Sequence, residues 1–337
     1  MPAGAMTPAA PPLATGPSAG GTDVREGGTW TRRQRLKNDA IVAFVRAVLA
    51  VLVPLPPRLV RAVGQAIGAA GLLLLPLTAR ALRTLGIALP HATVGQRLAL
   101  VTRSYLALGG HLGDALASLD VRRPLVALAV GPDDLALLAR AARAARAGTG
   151  EDGAPRGVVF PSAHLGPWER VAATLVARGV PMTVLARASY DPRLQRVYDR
   201  LRQSRGVPAL YRGHPGAPGG IVRALRSGRV LAIPMDLRSR VPSVPVPFLG
   251  RTTGVPVGPA RIALRTGAAV VVGTIAPGAR RSDPMRITCT EIPTFDLVPG
   301  EAGERTLTER IALELERRIR ALPGEWVWMH DRFGGLQ

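Results

Sequence analysis

The sequence has one cysteine and one lysine. A lone Cys289 excludes an intramolecular disulfide and any multi-cysteine metal site, which fits a reducing, cytosolic face. With Lys37 as the only lysine, the formal charge of +21 and the calculated pI near 11.7 rest almost wholly on arginine. Arginine grips phosphate bidentately, so nucleic acid and anionic lipid are the partner classes to weigh. No zinc finger, basic zipper or RNA-recognition signature is present and the charge is spread out, which argues against nucleic acid. The excess of Ala, Arg, Gly and Pro matches high-GC codon bias, so only local basic clusters count as evidence for an anionic partner. The chain also lacks a serine in a strand-to-helix nucleophile elbow and an internal repeat.

What is there falls into three stretches. Residues 1–29 are Pro, Ala, Gly, Ser and Thr with few large apolar side chains, and are expected to be disordered. They do not have the charged-then-apolar layout of a secretory signal. Residues 30–79 open on the basic cluster Thr31-Arg32-Arg33-Gln34-Arg35-Leu36-Lys37. Two apolar helix candidates follow. Ala40–Val53 is interrupted by Arg46 and ended by Pro54; Ala62–Ala79 is only weakly hydrophobic and contains Leu72-Leu73-Leu74-Leu75-Pro76. Arginines for phosphates and leucines for the acyl boundary favour a monotopic membrane anchor over a spanning helix.

From residue 80 onward two helices around Pro90 and an alanine-rich helix over Asp133–Ala147 precede a polar loop, Gly148–Arg156. Short apolar runs then alternate with helical segments, the pattern of a parallel or mixed sheet with crossovers. Strands are expected at Val158–Ser162, Pro181–Ala186, Val230–Pro234, Ala269–Thr274 and Arg286–Glu291. Helices are expected at Trp168–Arg178, Pro192–Arg205, Ile221–Ser227, Pro259–Thr266 and Thr308–Ala321.

The stretch Val158-Val159-Phe160-Pro161-Ser162-Ala163-His164-Leu165-Gly166-Pro167-Trp168-Glu169 carries the chemistry. His164 follows a buried strand, and Glu169 stands in the first turn of the next helix. Ligands of open α/β sheets bind at that carboxyl edge. Five residues apart across a turn, Glu169 is expected to orient the imidazole, which makes His164 a general base for a hydroxyl.

His164-x4-Glu169 after an apolar strand resembles the His-x4-Asp/Glu motif of the lysophospholipid acyltransferase superfamily. The surroundings are most similar to its bacterial lipid A late (lauroyl/myristoyl) acyltransferase branch. Further resemblances follow in order: Arg187 at a strand end, Arg205-Gly206, Pro234-Met235-Asp236, the loop Phe248–Ala260, and Pro323-Gly324-Glu325-Trp326-Val327-Trp328-Met329-His330-Asp331-Arg332-Phe333. Thr84, Thr252 and Leu237 depart from the family's usual Asn, Pro and Gln. The resemblance runs from about Arg80 to Phe333.

It implies a three-layer α/β/α acyltransferase domain over 80–337, preceded by the apolar membrane-associating helices. The implied reaction moves a fatty acyl group from a thioester of acyl-carrier protein or coenzyme A to a hydroxyl. The acceptor would be a lipid A precursor, a related glycolipid or a lysophospholipid, and the place the cytoplasmic face of the bacterial inner membrane. His164 and Glu169 would be catalytic, with Arg187, Asp236 and Gly258 binding substrate; no metal or cofactor is implied. Arg187 suits a phosphate, and Gly258, opening a helix, offers free backbone N–H groups. Asp236 has several possible partners: His164, a glycan hydroxyl, Arg187 or Arg238. The aromatics of the last motif read as packing, with His330 a weaker site candidate. The rival reading is a catalytically silent lipid-binding protein of the same fold.

Overall fold

A computed structural model of the chain describes residues 28–146, 156–278 and 283–334. Nearly all of the expected tail and of the polar loop before the first motif lie outside the described residues.

Four helices come first. Helix α1 (Arg32–Leu52) starts on a capping box in which Thr31 and Gln34 satisfy each other's backbone N–H groups. Helix α2 (Pro57–Gly71) has proline at its first position, where no N–H is needed. Helix α3 (Leu75–Ala88) and helix α4 (Val94–Ala117) follow, the last with a second capping box from Thr93 and Gln96. The single helix expected over Ala62–Ala79 is therefore broken. Pro76 has no N–H to donate to the preceding turn, and the chain leaves the helical region just before it, at Leu74 with ψ 75°. Helices α2 and α3 meet at 86°, and no single described helix is long and apolar enough to cross a membrane; by length and composition only that bent pair is a candidate. The boundary expected at residue 80 falls inside α3.

Helix α2 lies against α4 at a distance only glycine permits. A Cβ built on Gly64 would stand 2.2 Å from the Gly109 carbonyl oxygen, and one on Gly109 would stand 2.1 Å from that of Gly64. Arg123 ties down the α1–α2 turn by donating to the carbonyls of Leu55 (2.6 Å) and Pro54 (2.9 Å).

The rest is a mixed α/β domain. Its elements are β1 (Ala129–Val130), α5 (Pro132–Arg146), β2 (Val158–Ser162), α6 (Trp168–Ala177), β3 (Met182–Arg187), α7 (Pro192–Gln203), β4 (Ala209–Arg212), α8 (Ala217–Arg226) and β5 (Val230–Pro234). After them come β6 (Ser243–Phe248), β7 (Arg251–Pro256), α9 (Gly258–Thr266), β8 (Ala269–Ala276), β9 (Arg286–Ile292) and α10 (Glu301–Ala321). The seven-stranded sheet has the order β1-β9-β8-β2-β5-β3-β4. Strands β8, β2, β5, β3 and β4 run parallel, and β9 is antiparallel to β8. The central strands β2 and β5 are buried along nearly their whole length, as their unbroken apolar runs require.

The chain moves one way along the sheet from β2 through α6 to β3 and α7 to β4. It then reverses, through α8 to β5 and later through α9 to β8. Right-handed crossovers put α6 and α7 on one face and α8 and α9 on the other. The reversal separates the neighbouring strands β2 and β5, so the crevice of this sheet opens between their carboxyl ends.

The Phe248–Ala260 segment was expected to be a loop. It is instead the turn and second strand of the β6–β7 hairpin, followed by the first turn of α9. Leu249 and Gly250 both take positive φ, 55° and 83°, which matches the tight turns that follow strand twist. The strain at Leu249 is offset by its complete burial and by its N–H donating to Glu316 (2.7 Å).

Candidate active site

Strand β2 delivers His164 and strand β5 delivers Asp236 to the two sides of that crevice. The strands are paired residue for residue, Ser162 opposite Pro234, so the two residues that follow them emerge side by side. Asp236 is 1% exposed and its carboxylate accepts three hydrogen bonds. His164 donates to it from the backbone N–H (2.8 Å) and its ring Nδ1 lies 2.9 Å from the second oxygen. The third donor is the indole N–H of Trp326, at 2.7 Å.

These bonds set the protonation of the imidazole. Three donors hold the Asp236 carboxyl ionised: burial pushes its pKa upward, but the charge and hydrogen bonds of His164 and the Trp326 N–H outweigh that and keep it below the usual carboxylate range. An ionised carboxylate can only accept, so in the neutral ring Nδ1 carries the hydrogen and Nε2 carries the lone pair. Burial pulls the His164 pKa down, while the charge and hydrogen bond of Asp236, and more weakly the charge of Glu169, raise it; the net shift is upward from 6.5. The ring stacks edge-on against Trp168, centroids 5.0 Å apart. It lines a cavity of about 410 Å³ that also reaches Glu169, Arg187, Arg212 and His330.

The orienting carboxylate is thus Asp236, and the Glu169–His164 hydrogen bond expected from the loop is not formed. Glu169 is held by the Arg202 guanidinium of α7, which donates to both its oxygens at 3.0 and 2.5 Å. A fork-shaped cation makes two charge-assisted bonds where an imidazole would make one. Of the partners the sequence offered Asp236, the structure takes His164; counting residues along the loop favoured Glu169 because β5 is adjacent to β2 in space but 72 residues away in sequence.

The other expected residues divide. Arg187, at the end of β3, is exposed and lines the cavity. Gly258 opens α9 but is not among the cavity's lining residues; Pro256 is. His330 lines the cavity with its Nδ1 buried and unpartnered, and burial lowers its pKa. Among the described residues no group of His, Cys, Asp and Glu could hold a metal ion.

Sequence reasoning treated Trp326 as packing. It is wholly buried, and edge-on to Trp328 at 4.7 Å, but it also belongs to a strap across the His164 loop. Leu165 bridges to Trp326, and the Gly166 N–H donates to the Glu325 carbonyl at 2.9 Å. Ser104 of α4 donates to the Trp326 carbonyl at 2.5 Å, and His111 Nε2 lies 2.8 Å from Glu325 Oε2. Gly166 takes φ 62°, and a Cβ there would meet Ile275 at 2.3 Å. The loop is therefore fixed on both sides, by a turn that suits glycine and by the strap. No local pattern links residue 326 to residue 236; only the fold does.

The chain resembles a phosphatidylinositol mannoside acyltransferase of Mycobacterium tuberculosis, known from strains CDC 1551 and H37Rv. Identity is 30% over 173 residues, covering 50% of this chain and 52% of the relative. The match thus spans about half the length of these curated relatives. The sequence model of the bacterial lipid A biosynthesis acyltransferase family matches residues 150–334, from just before β2 to the end of the strap and beyond, and contains both His164 and Asp236. With more than half of the chain inside that match, this protein belongs to the bacterial lipid A biosynthesis acyltransferase family.

Proposed function

We propose that the protein transfers a fatty acyl group from a thioester, carried by acyl-carrier protein or coenzyme A, to a hydroxyl of a glycolipid or lysophospholipid at a membrane surface. The observation that carries this reading is the His164–Asp236 pair, which leaves a bare Nε2 in a cavity at the sheet's crevice.

In the proposed reaction, Nε2 accepts the proton of the acceptor hydroxyl as its oxygen attacks the thioester carbonyl. Asp236 stabilises the imidazolium that forms, and the strap keeps the ring aligned. The tetrahedral adduct then collapses to the ester, and the departing thiolate takes the proton back from Nε2. No covalent acyl-enzyme is needed. Glu169 keeps Arg202 in place and adds a through-space pull on the imidazolium. The family name points to a lipid A precursor as acceptor and the relative's name to a mannosylated phosphoinositide; both are hydroxyl-bearing glycolipids.

Membrane attachment is supported by the apolar side chains that α1–α3 leave uncovered, including Phe44, Ile67, Leu73, Leu74 and Leu75. Arg32, Arg33 and Arg35 crowd the first turn of α1, which has no acidic residue. Cations there oppose the helix dipole, and an anionic surface would relieve them.

Two measurements test the reading. Lipid mass spectrometry of cells with and without the protein should show a glycolipid species gaining one acyl chain. With that acceptor in vitro, His164→Ala should lower turnover by at least about a hundredfold. A folded His164→Ala protein with near-normal turnover would remove the imidazole from the reaction.

A further inference from the structure

Helix α4 grips more than α2. Ser104 and His111 stand two turns apart on one stripe of it, and Asp114 follows about a turn later. Each reaches a different part of the frame around the His164 loop. Ser104 donates to the Trp326 carbonyl at 2.5 Å, His111 Nε2 meets Glu325 Oε2 at 2.8 Å, and Asp114 accepts from Arg170 of α6 at 2.9 Å. The stem of Arg103 lies over Gly324, where a Cβ would stand 2.2 Å from its Cδ. The strap is thus laid directly on α4.

His111 is the member of this stripe that packing does not explain. It is 7% exposed, its Nδ1 is buried without a partner, and it shares the wall of an apolar cavity with Leu108, Leu112 and Pro167. An apolar side chain of that size would fill the place without leaving a buried ring nitrogen unsatisfied. What the imidazole provides is its single bond, the one side-chain-to-side-chain hydrogen bond between α4 and the strap among the described residues.

Glu325 faces two ways. Its side chain takes His111, and its carbonyl accepts the Gly166 N–H at 2.9 Å, just past His164. The next residue, Trp326, donates at 2.7 Å to the Asp236 oxygen that also receives the His164 backbone N–H. A displacement of Glu325 is therefore felt on both sides of the imidazole, at the loop that carries it and at the carboxylate that orients it. Without His111 the Glu325 side chain, 18% exposed, would lose its partner while having little access to water. Turning it outward to be solvated would draw the strap with it.

Resting on the acyl-transfer reading, in which His164 takes the proton, we infer that His111 is a positioning residue: through Glu325 it holds the strap against α4, and so keeps Trp326 on Asp236 and the His164 ring in line. It acts through the strap alone, and the proton moves at His164.

The test joins an NMR titration of the His164 imidazole, made on the full-length protein without substrate, to steady-state acyl transfer. In a folded His111→Leu variant the Trp326 N–H withdraws from Asp236, whose carboxylate then holds the His164 proton more strongly. The His164 midpoint should rise by about 0.5 pH unit. Turnover should fall roughly tenfold in kcat, with KM changed less. His111→Gln, whose amide N–H can still donate to Glu325, should restore both. Glu325→Ala removes the same bond from the more exposed partner and serves if His111→Leu fails to fold; it should reproduce the effects of His111→Leu, and the double variant should be no worse than either single one. An unmoved midpoint and kcat in the folded variants would overturn the inference, even with a lowered melting temperature, which is all that a packing role predicts. A His111→Gln variant as impaired as His111→Leu would overturn it too. A raised midpoint that His111→Gln restores, in a protein that transfers no acyl group, would overturn the acyl-transfer reading and leave the positioning role standing.

Discussion

Asp236→Asn is the substitution that probes the site most sharply. Two donors converge on one Asp236 oxygen, the His164 backbone N–H and the Trp326 indole N–H, while His164 Nδ1 faces the other. An asparagine satisfies the first two only if its carbonyl oxygen takes the shared position. Its amide N–H₂ then faces Nδ1, which must give up its hydrogen to accept. The proton moves to Nε2, and the base is capped at the atom that should receive the acceptor's proton. Losses from such a wrong tautomer reach about 10³–10⁴ in kcat, or about 4–5.5 kcal/mol of transition-state stabilisation. Glu169→Gln removes a carboxylate that touches Arg202 and acts on His164 only through space, so the expected loss is about tenfold or less. The assay is steady-state acyl transfer with both substrates varied, on variants whose circular dichroism matches the parent. If folded Asp236→Asn keeps kcat within tenfold while Glu169→Gln abolishes it, the base is oriented by Glu169 in the working enzyme and the pairing drawn here is wrong.

The same pair sets the pH behaviour. With the His164 pKa raised, kcat/KM should fall on the acid side with an apparent pKa above 6.5. The stability contributed by the raised His164 pKa should be fully present below 6.5 and fade as pH climbs through the raised value; a thermal-melt difference between parent and Asp236→Asn that grows with pH across that window would contradict it. Trp326→Phe keeps most of the packing but removes the N–H to Asp236, so kcat should drop about tenfold and the acid limb of the profile should move to higher pH; a loss of stability with an unmoved profile would make Trp326 a packing residue only. Gly109→Val cannot be accommodated without parting α2 from α4, and limited proteolysis should cut the α1–α2 region at least tenfold faster than in the parent. Phe44→Asp with Leu74→Asp should abolish co-flotation with anionic vesicles and leave the fold intact; unchanged flotation would place the membrane contact elsewhere.

How much of this was legible in the sequence depends on the range of the forces involved. Strands β2 and β5 were read to the residue, because a fully buried strand needs an unbroken apolar run and both runs are bounded by polar or turn residues. Strand β4, only four residues with no fully buried position, left no such trace, and with it Arg212 went unnoticed. The β6–β7 hairpin was missed because its prolines, Pro245 and Pro247, read as loop; the two-stranded ribbon can hold them as an edge strand can. His164 was found from its place after β2. Its partner was misassigned because local spacing favours Glu169, whereas adjacency in the sheet favours Asp236. The Trp326 contact was beyond reach for the same reason: an indole packed in a core and an indole that donates to a buried carboxylate look alike in one dimension.

The strap also has a temporal meaning. Residues His164 and Asp236 leave the ribosome well before Trp326, and at about 5–20 residues per second the ninety residues between Asp236 and Trp326 take several seconds to appear. Helices α1 to α3, with their uncovered leucines, emerge earlier still. A nascent chain thus exposes these leucines while the third donor to its central carboxylate has yet to be synthesised. The His164–Asp236 pair should reach its full alignment only once Trp326 has been made and has closed the strap over the His164 loop.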